Sequence, residues 1–125
     1  MATIKAPTMQ DRVYIGQAGN LSLAKSMVVL AAAAVGTVVE MLELPIGCDV
    51  QSIRVTTENL GASVTGTIKL GDTVIKSGQA LSAAATVDIP CDIYTTEKSV
   101  LTVTIAGAAA TGALKVNPTY IAKGY

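Results

Sequence analysis

Ser63-Val64-Thr65-Gly66-Thr67-Ile68-Lys69-Leu70-Gly71-Asp72 decides the fold class. Val64, Gly66, Ile68 and Leu70 fall on one side of an extended chain, and Ser63, Thr65, Thr67 and Lys69 fall on the other. A period of two marks a strand with one face buried and one face wet. Gly71-Asp72 has the length and composition of a two-residue hairpin turn, so the chain should return as a strand over Thr73–Lys76.

The same alternation recurs on both sides of this hairpin. Upstream, Ile53, Val55 and Thr57 oppose Arg54 and Thr56 within Val50–Thr57. Downstream, Leu101, Val103 and Ile105 oppose Thr102 and Thr104 within Ser99–Ala106. Near the end of the chain, Leu114, Val116 and Tyr120 oppose Lys115, Asn117 and Thr119 within Ala113–Ile121. Ile68, Val103, Leu114 and Val116 are the expected core. Leu44-Pro45-Ile46-Gly47 and Glu58-Asn59-Leu60-Gly61 read as turns, Ser77–Ala85 as a Gly/Ser/Ala loop, and Gly107–Gly112 as a further turn. Pro118 lacks a donor for the ladder, which places it at a sheet edge or near a strand end. Leu21–Leu44 fits a helix through Leu23, Met27, Leu30, Ala34 and Val38. Its Val28-Val29 and Val38-Val39 pairs and Gly36 fit two strands better, near Leu21–Leu30 and Thr37–Leu44. Seven or eight short strands separated by turns give an all-β fold: a single β-sandwich, jelly-roll or Ig-like, over residues 21–125. Residues 1–20 show no sustained period and read as an extended N-terminal arm, with a short strand at Arg12–Ile15.

Composition narrows the chemistry. The 125 residues carry nine basic and nine acidic side chains, a formal net charge of zero, and only 14% charged residues against 50% hydrophobic. Ordinary soluble domains are about 25% charged. So little charge leaves copies free to approach one another, as expected of a chain that sits against other protein surfaces. There is no His, Trp or Phe and there are four Tyr. No His-based triad or His-ligated metal site can be built. A neutral, aromatic-poor chain is a poor nucleic-acid binder. The uncharged stretch Ser26–Val39 is shorter than the roughly 20 residues a membrane helix needs, and Met1–Lys5 does not open a secretory signal. The expectation is a protein made in the cytoplasm that binds neither membrane nor nucleic acid.

Four groupings bear on chemistry. Glu40 and Glu43, three apart on a strand, should face opposite sides and cannot work as an acid/base pair. Asp88 and Asp92 flank Pro90-Cys91 and read as solvated loop carboxylates. Like Glu58-Asn59, they could serve a cation, but no EF-hand-like run is present. Gly16-Gln17-Ala18-Gly19 lacks the Lys-Ser/Thr ending of a phosphate loop. Cys48 and Cys91 match no zinc or CxxC spacing and are expected as reduced, partly buried thiols. The expectation is no catalytic residue, no cofactor and no metal. The outward strand positions are mostly Thr and Ser, which are cheap to desolvate against a partner.

Val35–Val55, with its Leu44-Pro45-Ile46-Gly47-Cys48-Asp49-Val50 turn, then Leu60–Asp72 with its Gly71-Asp72 hairpin, and Leu101–Val116 together resemble small virion structural proteins of tailed bacteriophages. These are head decoration or cement proteins. The resemblance spans roughly Val35–Tyr120 and rests on turn and strand patterns. It implies an oligomeric β-sandwich that binds the major capsid protein and stabilises the assembled head within the virion. It implies no catalytic residues. A neck, tail or head-fibre component, or a surface module for host glycan or protein, is the alternative. Ile4, Pro7, Met9, Val13, Tyr14 and Ile15 give the arm apolar groups that need covering, which makes them the candidate assembly contacts with capsid or with a second copy.

Overall fold

Alternation is what the strands share. In the computed structural model, which describes residues 3–10 and 21–122, ten strands form: β1 Thr3–Lys5, β2 Leu21–Leu23, β3 Met27–Ala33, β4 Val38–Leu44, β5 Cys48–Thr57, β6 Thr65–Leu70, β7 Thr73–Ala80, β8 Ala85–Tyr94, β9 Ser99–Ala106 and β10 Ala110–Ala122. No α-helix is present among the described residues, so Leu21–Leu44 is strand. Gly36, at φ +90°, turns the chain between β3 and β4.

The pairing is nested: β6 with β7, β5 with β8, β4 with β9 and β3 with β10, all antiparallel. The long double ribbon then folds on itself through β10–β5 and β9–β6 contacts. Two sheets result, β1-β4-β9-β6-β7 and β2-β10-β5-β8, with β3 also on β10. Eight strands wound in this order are a jelly roll, which settles that fold over the Ig-like one. β1 adds a parallel strand at the β4 edge.

The core lies between the sheets. Val64, Ile68 and Leu70 of the deciding stretch are buried, as are Val103, Leu114 and Val116. Each such side chain contributes roughly 1.5–3 kcal/mol over its exposed state. Gly66 is buried with them because Leu81 and Val103 close over it: a Cβ there would lie 2.8 Å from Val103 Cγ1 and 2.9 Å from Leu81 Cδ1. Gly107, at φ +83°, lies where a Cβ would run into the Ser63 carbonyl.

Four expectations are corrected. The Ser77–Ala85 stretch is not one loop: β7 continues to Ala80 and β8 begins at Ala85. β7 is an outer strand exposed along most of its length, so no alternation marks it. β10 starts at Ala110, inside the stretch read as a turn. A bulge in β4 between Glu40 and Leu42 takes up one residue, which puts Glu40 opposite Thr102 and Glu43 opposite Val100. Both glutamates therefore lie on the outer face, not on opposite faces.

Pro118 is the fourth. It lies within β10, flanked by β5 on one side and by β2 and β3 on the other. Its carbonyl accepts from Ala24 N at 3.1 Å, so its donor-less nitrogen also faces the outer strand. Leu23 faces Thr119 and Met27 faces Lys115, so the register runs unbroken and Ala24, Lys25 and Ser26 stand opposite Pro118, Asn117 and Val116. The break between β2 and β3 falls on these three residues. Asn117 Oδ1 accepts from Ser26 N at 3.0 Å, Val116 N donates to Ser26 O at 3.2 Å, and the Ser26 hydroxyl donates to Val116 O. Side chains replace the ladder where the proline interrupts it, and the cost falls on an outer strand.

Replacing Val103 by Asp should unfold the domain, because an unpaired buried carboxylate costs several kcal/mol against a typical total of about 5–15 kcal/mol. Thr102→Asp, on the outer face, should shift the urea midpoint only slightly. Equal loss in both variants, read by circular dichroism, would contradict the register of β9.

Candidate assembly surface

The arm residues divide. Ile4 is half-buried against the core, Met9 is half-buried and Pro7 is exposed. Val13, Tyr14 and Ile15, and the expected strand Arg12–Ile15, lie outside the described residues. Residues 3–10 dock on their own domain: β1 pairs with β4, Ala6 N donates to Glu40 O at 2.8 Å, and the Thr8 hydroxyl donates to Met41 O at 2.8 Å.

Two other surfaces stand out. On the outer face of the β4-β9-β6 layer, Thr65, Thr67, Thr102 and Thr104 lie in adjacent rows: Thr104 is opposite both Val38 and Thr67, and Thr102 is opposite Glu40 and Lys69. These half-buried hydroxyl positions form the Thr-rich face read from the sequence. The second surface is the outer strand of the other sheet. Leu21, Leu23, Met27 and Val29 all point outward from β2 and β3, with Leu21 64% and Val29 69% exposed. Val28 and Leu30, between them, are buried. This strand is therefore apolar on both faces, the pattern of a strand covered on both sides. The signal was present in the sequence as apolar residues at successive positions. Assigning the apolar contacts to the arm left it unused.

Beside the stripe lies a shallow groove of about 510 Å³. One cross-strand row reads Met27, Lys115, Thr56, Thr86, and the next runs from Asn117 to Arg54 and Asp88. Lys25, opposite Asn117, lines the same groove. Arg54 Nε donates to Asp88 Oδ1 at 2.8 Å, and this contact holds the guanidinium pKa above its ordinary value. Both side chains are exposed, so the pair contributes little stability.

Asp88 and Asp92, expected in a loop, lie on β8, and both are engaged, as is Glu58. Asp88 is on Arg54, and Asp92 Oδ1 accepts from Gln51 Nε2 at 3.2 Å. Glu58 Oε1 accepts from Ala113 N at 2.8 Å, and Asn59 Oδ1 accepts from Gly61 N at 2.9 Å, which closes the turn. No group of three His, Cys, Asp or Glu side chains converges among the described residues.

Both cysteines are free thiols. Cys48 is buried at the start of β5, and Cys91 is half-buried on β8 with Val50 O 3.7 Å from its sulfur. Burial raises both thiol pKa values, and for Cys91 the nearby Asp92 and Asp49 carboxylates raise it further.

The fold has counterparts among solved structures. One chain of the capsid of Ralstonia phage GP4 superposes with a TM-score of 0.77 at 17% identity, covering 99% of this chain and 100% of that one. A chain of the cyanophage Pam1 capsid asymmetric unit gives 0.62 at 20% identity, covering 90% and 94%. A chain of the acid-stable capsid of Helicobacter pylori bacteriophage KHP30 gives 0.56 at 16% identity, covering 84% and 90%. No protein-family model and no curated protein matches the chain. At these identities the likeness is one of fold. It extends over 84–99% of this chain and 90–100% of the matched chains.

A thiol reagent at mildly alkaline pH should label Cys91 before Cys48, and both more slowly than in the unfolded chain. Raised native pKa values also make stability fall as pH rises past the ordinary thiol value of about 8.5, since the unfolded chain then loses its protons first. Mass spectrometry of timed samples reads the order, and Cys48 labelling first would contradict its placement.

Proposed function

We propose that the chain is a structural protein of a bacteriophage capsid, and within it a decoration or cement subunit that binds the assembled head. The observation that carries this reading is the correspondence of 84–99% of the chain with chains of similar length in three phage capsid structures. A role in holding a shell together needs a rigid body with desolvatable faces and no catalytic centre. The Thr-rich sheet face and the apolar β2–β3 stripe supply such faces. The partners are the major capsid protein and further copies of this chain, and the place of action is the virion. Each contact adds a modest free energy, and engagement at many equivalent sites multiplies the hold. In this proposal the arm of residues 1–20 adds an assembly element to the sandwich of residues 21–125, on which β1 and Ala6 anchor its first part.

The outward stripe separates folding from assembly. Leu21→Asp with Val29→Asp should keep the strand spectrum and a cooperative melt, because both side chains point into solvent in the free protein. The pair should lose at least about tenfold in affinity for heads that lack this protein, since burying a carboxylate in an apolar contact costs more than the roughly 1.4 kcal/mol that tenfold represents. Co-sedimentation with such heads reads the result. Failure of the unaltered chain to sediment with them would overturn the decoration reading. Undiminished binding by the double variant would remove the stripe from the contact.

A further inference from the structure

The groove beside the stripe is charged in a way the rest of the chain is not. Three of the chain's nine cationic side chains, Lys25, Arg54 and Lys115, line it. Asp88 is the one carboxylate in the two central rows, and it is already held by Arg54 at 2.8 Å. Neither Lys25 nor Lys115 has an ion-pair partner among the described residues. The groove itself thus carries a net positive charge, while Glu58, next to it beside Met27 and Lys115, is turned to the Ala113 amide.

The surroundings select among anions. The floor between the cations carries hydroxyls, with Thr56 Oγ1 and Thr86 Oγ1 3.1 Å apart. Leu23 and Met27 form the outer rim. The rim offers apolar contact and no aromatic side chain, so the groove has nothing on which a base would stack. Neighbouring strands are about 4.8 Å apart. Lys25 on the outer strand and Lys115 and Arg54 on the next two strands therefore span a distance that an extended peptide covers with two carboxylates on one face.

We propose that this groove binds an extended acidic segment of a partner protein, with carboxylates on Lys25 and Lys115. That the partner is a capsid chain rests on the assembly reading above; the chemistry of the groove does not. Such pairs set orientation and encounter rate and weaken as salt rises.

The test uses the full chain and a short peptide of alternating glutamate and valine. In amide-resolved NMR titrations the shifts should be confined to residues around Lys25, Met27 and Lys115. Affinity should fall by about tenfold or more from low to high salt. Lys25→Glu with Lys115→Glu should abolish the shifts while leaving the remaining spectrum native, and Lys76→Glu on β7 should leave them unchanged. Equal shifts with a lysine–valine peptide, no shifts at all, or equal binding of an oligonucleotide would overturn the proposal. So would a change in the sedimentation of the protein alone on charge reversal, because the groove would then belong to a second copy. Head binding separates the two readings. If unaltered protein binds heads and the Lys25→Glu/Lys115→Glu variant binds them equally well, the groove proposal falls. If the peptide occupies the groove and the unaltered protein ignores heads, the groove stands and the decoration reading falls.

Discussion

A proline without a donor in the middle of a sheet is the constraint around which one side of this molecule is arranged. Pro118 lies on β10, the strand that pairs with β5 on one flank and with β2 and β3 on the other. A buried carbonyl or amide left without a partner there would cost about 1–3 kcal/mol. The chain meets the problem locally. Register is kept across the gap, Ala24 still donates to the Pro118 carbonyl, and Ser26 and Asn117 supply the missing partners from their side chains. Among the described residues no buried side-chain nitrogen or oxygen is left unsatisfied.

The outer strand is therefore two short pieces with a polar plug, not one flat ribbon. A long unbroken apolar outer strand is an invitation to indiscriminate pairing. Here Leu21, Leu23, Met27 and Val29 are exposed, yet the segment between them carries Lys25 and a backbone turned to side-chain partners. The unbroken register keeps Lys25 level with Asn117 and so in one groove with Lys115 and Arg54. Apolar area for adhesion and charge for selectivity sit side by side on this outer strand. The other sheet offers a contrasting face, hydroxyl-rich and nearly neutral, with the single long contact between Lys98 Nζ and Glu43 Oε1 at 3.8 Å at its margin.

Most of the fold was legible in the sequence wherever one face of a strand is buried and the other wet. β5, β6 and β9 announce themselves by alternation, and their inward residues are the observed core. Legibility failed where burial is not one-sided. β7 is exposed on nearly all sides, so its small residues read as a loop. β10 begins at the buried Ala110, but the small residues around it give no periodic contrast. The bulge in β4 adds one residue that no alternation rule anticipates, and it moved Glu43 across the sheet. The assembly surface was only partly legible for a related reason. Apolar residues in the arm could be seen, but docking of residues 3–10 on the domain itself is a matter of pairing. The strand that does present apolar groups outward is apolar at successive positions, a pattern that fits a helix as well as a strand.

The account turns on the claim that Pro118 alone breaks the outer strand. Hydrogen exchange on Pro118→Val tests it directly. Valine restores an N–H at the position facing Ala24 and suits a strand, so the new amide at residue 118 should be protected. Protection should also rise across Ala24–Ser26 as β2 and β3 join into one continuous strand. A freely exchanging amide at residue 118, with Ala24–Ser26 no slower to exchange than before, would show that the break has another cause.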